Sequence, residues 1–157
     1  MKAVFAGSFD PFTIGHKDIV DRARRLFGEV VIAIGHNEHK PGEWTVDQRL
    51  KAIASLYRDD DGIEVCAYDG LTARFVKEKG ADAILRGVRN LADFEFEKNL
   101  ADTNSAIAGV ETVFLVSSPA TAFVSSSMVR ELIHNGYDAS RFIAGDFPLP
   151  PRLSEGE

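Results

Sequence analysis

The sequence has one cysteine, Cys66, which excludes an internal disulfide framework and fits a reducing compartment. It has no apolar run near the roughly 18 residues of a membrane span. Its longest run, residues 30–34, has the length of a buried strand. Residues 1–5 show no long apolar h-region and no small-residue cleavage site, so a cytoplasmic location is expected. No segment repeats and no linker divides the chain, whose 17.2 kDa fits a single domain spanning residues 1–157. A chain of this size buries roughly 70% of its unfolded surface and needs no staple. Basic residues are the scarcer sign, 18 against 24 acidic, for a net charge of −6 and a pI near 5.2. That shortage argues against a nucleic-acid coat, which works by phosphate neutralisation. A small anionic ligand needs only a local cluster, so it is not excluded.

Several familiar chemistries are missing too. No G-x-G-x-x-G or Gly-Lys-Ser/Thr loop occurs. The His36-x-x-His39 pair lacks a third ligand at plausible spacing, so no protein-held metal is expected. Cys66 alternates with apolar neighbours in a strand, without a basic partner. Ser8 has no ordered His–Asp set to activate it.

What is present alternates. Apolar strands are expected at residues 4–9, 30–34, 63–68, 83–85 and 112–116, with helical patterns between and after them. This predicts an α/β fold: a Rossmann-like five-stranded parallel sheet with helices on both faces, in one domain. In the first helix Ile19, Val20, Ala23, Leu26 and Phe27 share one stripe. In the fourth, Phe96, Leu100, Thr103 and Ile107 are expected to face inward. Trp44 is expected to pack its loop against the second helix, and Asp59-Asp60-Asp61 to form a solvated corner. His134 reads as a surface residue near a helix end. Residues 146–157, rich in proline and acid, are expected to form a loosely ordered or surface-lying tail.

In open α/β sheets ligands sit beyond the carboxyl ends of the strands, so the loops there are the candidate site. The first, Gly7-Ser8-Phe9-Asp10-Pro11-Phe12-Thr13-Ile14-Gly15-His16, leads into a helix start. A histidine there is expected to be neutral, its charged form disfavoured by the helix end, and able to donate to a phosphate oxygen. The same residues also read as a plain capping loop, and the spacing alone does not choose. Arg86 and Arg89 follow the fourth strand. They suit either phosphate oxygens or an ion pair with Asp93 or Glu97. Ser125-Ser126-Ser127 places hydroxyls and uncovered N–H groups at a helix start, where one serine would suffice as a cap.

Three of these segments together resemble one family. Ser8-Phe9-Asp10-Pro11-x-Thr13-x-Gly15-His16 is similar to the first signature of the phosphopantetheine adenylyltransferases, the nucleotidylyltransferase branch with T-x-G-H or H-x-G-H. Arg86-Gly87-Val88-Arg89 with the acidic run from Asp93 to Glu97, and Val124-Ser125-Ser126-Ser127-x-Val129-Arg130, follow in the family's order. The resemblance runs from residue 2 to about residue 143. It implies an enzyme that moves the adenylyl group of ATP onto 4′-phosphopantetheine, giving dephospho-coenzyme A and pyrophosphate. It implies His16, Lys40 and Arg89 as catalytic residues. For ATP it implies Ser8, Phe9, His16, Gly87, Val88, Arg89, Glu97, Thr121, Ala122, Phe123, Val124, Ser125, Ser126 and Ser127. For the acceptor it implies Ser8, Lys40, Thr72 and Arg86. It further implies Mg²⁺ carried on the ATP phosphates, a homohexamer and feedback by coenzyme A, with no nucleic acid or membrane as partner. The chain departs from the family at Thr121-Ala122-Phe123, where many relatives carry an aromatic followed by serine. It also has one lysine, Lys40, where some have two. A different acceptor, such as nicotinamide mononucleotide or glycerol phosphate, is the competing enzyme reading; Thr13 and the Arg86–Arg89 pair speak against it. A module that binds ATP without turning it over is the non-enzyme alternative.

Overall fold

The computed structural model describes residues 1–148. Five parallel strands, β1 (Lys2–Gly7), β2 (Glu29–Gly35), β3 (Ile63–Tyr68), β4 (Ala83–Val88) and β5 (Glu111–Val116), lie in the order β3-β2-β1-β4-β5. The chain winds from β1 through β2 to β3 on one side, then returns across β1 to build β4 and β5 on the other. The reversal puts a crevice at the carboxyl ends of β1 and β4.

β1 is buried on both faces, so its residues serve two cores by period-two alternation. Ala3 and Phe5 join Ile32, Leu85 and the inner faces of α1 (Ile14–Phe27) and α2 (Val46–Leu56). Val4 and Ala6 join Val31, Ala33, Ile84 and the buried Phe75 and Val76 of α3 (Thr72–Glu78). A third cluster, around α5 (Ser126–His134), holds Trp44, Val124, Val129, Ile133 and Phe142.

Several expectations are corrected. Trp44, 1% exposed, belongs to the α5 cluster, its indole edge-on to Phe147 at 5.4 Å, while its carbonyl accepts from Arg49 Nε of α2 at 3.1 Å. Its ring N–H donates to the Pro148 carbonyl at 2.6 Å. Phe147 and Pro148, expected in a loose tail, are therefore held; residues 149–157 of that tail lie outside the described residues. Leu26 is exposed, since only Ile19, Val20 and Ala23 of its stripe are buried. Asp60 is no mere solvated corner: its carboxylate takes Nε (3.0 Å) and Nη2 (2.9 Å) of Arg24, fastening the end of α1 to the turn before β3. The β4 ladder continues beyond Leu85, with Arg86, Gly87 and Val88 paired to Phe114, Leu115 and Val116, so these residues are strand and not loop.

The largest correction concerns α4 (Leu91–Ala108). Of the four residues expected to face inward, Phe96 faces solvent, while Leu100, Thr103 and Ile107, exposed as well, line a cavity at the sheet's carboxyl edge. The face turned to the body carries Asp93, Glu97, Ala101, Asn104 and Ala108, spaced by four, four, three and four. This helix covers cavities more than core, so apolar Leu100 and Ile107 share its cavity side with polar and small residues.

Candidate active site

Two cavities open side by side at the sheet's carboxyl edge. The first, about 420 Å³, is lined by the β1–α1 loop, the end of β4, the foot of α4 and the start of α5. The second, about 490 Å³, lies between the ends of β2 and β3 and the inner face of α4. Ala6, Gly7, Ser8, Arg86 and Glu97 line both and form the wall between them.

The β1–α1 loop makes a sharp exit from the sheet. Phe9 sits at φ 50°, a left-handed conformation that costs a non-glycine residue on the order of 1 kcal/mol. Its ring folds back over Gly7, where a Cβ would stand 3.0 Å from ring carbons. Thr13 then caps α1 in a reciprocal box. The His16 N–H donates to Thr13 Oγ1 at 3.3 Å, and the Thr13 N–H donates to His16 Nδ1 at 2.9 Å. A backbone N–H is an obligate donor, so Nδ1 carries a lone pair and the ring proton resides on Nε2. Phe12 stacks on the imidazole at 5.4 Å, with Phe9 edge-on at 5.1 Å. Loss of hydration, aided by the charges of Arg86 and Arg89, lowers the His16 pKa to about 3. His16 is therefore a neutral donor at pH 7, as expected; burial is the main cause, ahead of the arginine charges.

The two arginines come ready oriented. Arg86 gives Nε to Glu97 Oε2 at 2.7 Å and Nη2 to Glu97 Oε1 at 2.6 Å, while Nη1 donates to the Ala6 carbonyl. Arg89 grips Asp93 at 2.9 and 3.2 Å. Partial burial works against ionising Asp93, but the Arg89 hydrogen bonds hold its carboxyl below the usual range. Both ion pairs exist, and both arginines line the first cavity. Ion pairing and phosphate binding are not exclusive, since a guanidinium with five N–H groups can do both.

At α5 the serines divide their work. Ser125 is the cap, accepting from the Met128 N–H at 3.1 Å. Ser126 donates its hydroxyl to the Pro11 carbonyl at 2.8 Å, tying the helix to the first loop. Among the described residues the N–H groups of Ser126 and Ser127 have no hydrogen-bond partner within the chain, and both residues line the cavity. A helix start of this kind suits a phosphate.

The first cavity brings together Ser8, Phe9, His16, Arg86, Gly87, Arg89, Glu97, Thr121, Val124, Ser125, Ser126 and Ser127. Thr72 lines the second, its hydroxyl 2.8 Å from Tyr68 Oη. Four expected residues line neither cavity. Val88 is buried in β4, Ala122 and Phe123 turn aside, with Phe123 against Phe142, and Lys40 is exposed on the loop after β2. Sequence reading passed over Arg130 and Arg49. Arg130 lines the first cavity and donates to the Asp10 carbonyl at 2.7 Å. The buried Arg49 of α2 donates to the carbonyls of Ser8 (2.6 Å) and Trp44 (3.1 Å). Arg130 lies in the serine motif, three residues past Ser127, and that helical spacing is its signal in the sequence. Nothing local marked Arg49. Among the described residues no three His, Cys, Asp or Glu side chains converge as a metal site, and no helix could cross a membrane.

This switch-point crevice, with a neutral donor, paired guanidiniums and a helix start facing one cavity, defines a nucleotidyltransferase. A family model described as cytidylyltransferase-like matches residues 4–132. The chain belongs to that family and, within it, to the phosphopantetheine adenylyltransferases. The protein so named in Flavobacterium psychrophilum is 48% identical over 139 residues, 88% of this chain and 92% of its own. The one in Porphyromonas gingivalis is 48% identical over 147 residues, 94% and 96% of the two chains. A crystal structure of a bifunctional NMN adenylyltransferase/ADP ribose pyrophosphatase from Francisella tularensis, with AMP and a manganese ion, superposes with a TM-score of 0.64 at 16% identity. It covers 94% of this chain, which spans only 45% of that longer protein, and the likeness is one of fold.

Proposed function

We propose that the chain transfers the adenylyl group of ATP to 4′-phosphopantetheine, giving dephospho-coenzyme A and pyrophosphate, by direct attack without a covalent enzyme intermediate. The observation that carries this reading is the pair of adjoining cavities with Arg86 in their common wall. One cavity takes the triphosphate and the other the pantetheine arm; the two phosphates meet at the wall.

An oxygen of the acceptor phosphate forms a bond to the α-phosphorus while the bond from that phosphorus to the bridging oxygen breaks, and pyrophosphate leaves. The protein contributes position and charge. Arg86 holds the attacking phosphate with the N–H groups that Glu97 and Ala6 leave over. His16 donates from Nε2 to the transferring phosphoryl group, and Lys40 swings in over the leaving group. Arg89, Gly87 and Val88 border the nucleotide, and the start of α5 takes the β,γ-phosphates. Ser8 and Thr72 contact the acceptor.

A Mg²⁺ ion bound to the triphosphate would neutralise part of its charge. The cavity's acids suit that arrangement, since Asp93 and Glu97 are each engaged by an arginine and form no cage. A cytoplasmic homohexamer is proposed from the family resemblance and is supported by apolar residues exposed along α4. Feedback by coenzyme A fits a site that already admits the pantetheine arm and a nucleotide.

The test is product identification by mass spectrometry after incubation with ATP, Mg²⁺ and 4′-phosphopantetheine, with nicotinamide mononucleotide and glycerol phosphate as control acceptors. Dephospho-coenzyme A from the first mixture alone is expected. Adenylylation of a control acceptor in its place, or no pyrophosphate release, refutes the reading.

A further inference from the structure

We infer that Asp10 is a positioning residue for Lys40, acting through the stem of the β2–α2 loop; the inference rests on the proposed role of Lys40 at the reacting phosphates. This loop is fastened at its two ends. At the start, the His36 N–H donates to the Tyr68 carbonyl at 3.0 Å. At the end, the Asp10 carboxylate, 6% exposed, accepts the N–H of Glu43 at 2.9 Å and that of Trp44 at 3.0 Å. Among the described residues, no hydrogen bond leaves the loop between positions 38 and 42. The Lys40 N–H only closes a turn onto the Asn37 carbonyl at 3.2 Å.

Asp10 belongs to the loop that leads into α1, whose first turn carries His16, and its own carbonyl is held by Arg130 at 2.7 Å. One residue thus joins three parts of the site: its side chain grips the lysine loop, its backbone is gripped by α5, and its segment leads into α1. The fit is close on the far side as well. A Cβ at Gly42 would stand 2.7 Å from the Asp10 carboxyl group, so the loop lies this near only because residue 42 is glycine. An ionised carboxylate accepting two backbone N–H groups is a stronger tether than a neutral side chain, which explains the acid at this place. Lys40 lies three residues before the tether, exposed and outside both cavities. A flexible side chain on such a tip reaches a set position only from a set stem.

Steady-state kinetics of Asp10→Asn, Gly42→Ala, Lys40→Ala and the double variant Asp10→Asn/Lys40→Ala test the inference. Asn presents an N–H₂ where one of the two backbone donors now points, while Gly42→Ala pushes the same contact apart with the carboxylate intact. Each should lower kcat about tenfold or more with both KM values within about twofold, because a misplaced charge stabiliser is felt in the transition state. In the Lys40→Ala background Asp10→Asn should cost no further than about twofold, the non-additivity of two residues acting as one. Equal losses in both backgrounds overturn the inference. So does an unchanged kcat in Gly42→Ala while Lys40→Ala is slow, a result available even if Asp10→Asn does not fold. Full activity in Lys40→Ala removes the role of Lys40 itself, and the inference with it.

Discussion

Phe5, Phe9 and Phe12 crowd the imidazole of His16, and Thr13 fixes which of its nitrogens bears the proton. Replacing His16 by Ala should lower kcat by about 10² to 10³, the usual cost of one phosphoryl-directed donor, with the far-ultraviolet circular dichroism spectrum unchanged. The same burial has a stability consequence. His16 binds its proton near 6.5 in the unfolded chain and only near 3 in the folded one, so protonation favours unfolding. The stability that neutral His16 brings is fully present above pH 6.5 and is lost as pH falls toward 3. Thermal melts across that range should fall more steeply for the native sequence than for His16→Gln, and parallel curves would count against a buried imidazole. The histidine was legible in the sequence because a T-x-G-H box is a local pattern of four residues. The Asp10 tether is not legible in the same way. The partners of its carboxylate are backbone groups 33 and 34 positions away, and backbone carries no sequence signal.

At the scale of elements, α4 is half legible: Leu100, Thr103 and Ile107 turn to the second cavity and Phe96 does not. The expectation of an inward apolar stripe presumes a core beneath the helix, whereas beneath α4 lie the two cavities and Glu97. Leu91, 73% exposed, and Phe96, 62% exposed, are left outside. In the proposed hexamer such residues find cover against another copy. The double variant Leu91→Ser/Phe96→Ser, which touches neither cavity lining, should sediment with a mass well below six times 17.2 kDa, and a hexamer unaffected by the change would place the interface elsewhere. The strands were read more faithfully. β3 matches its expected bounds, since a short apolar run flanked by turns has few other options. β4 was read three residues short, because Arg86 and Gly87 look like loop until the ladder to β5 is seen.

For the molecule as a whole, a net charge of −6 and a site for two phosphorylated substrates are compatible because the cations are concentrated and already oriented. Arg86, Arg89 and Arg130 each reach the first cavity with a carboxylate or carbonyl already in hand, so ligand binding need not order them. Since the site exists only in the folded chain, ATP at about 100 times its Kd should raise the unfolding free energy by about 2.7 kcal/mol, measurable by urea titration without acceptor present. A smaller gain would mean that ATP also binds the unfolded chain. Trp44, the sole tryptophan, supplies another readout. It is 1% exposed, its backbone is bonded to Asp10 and its indole to Pro148, and it stands at the foot of the lysine loop. The chain therefore carries its own fluorophore at the foot of that loop. Intrinsic emission, with no label attached, should change in step with ATP or pantetheine binding, followed by stopped flow.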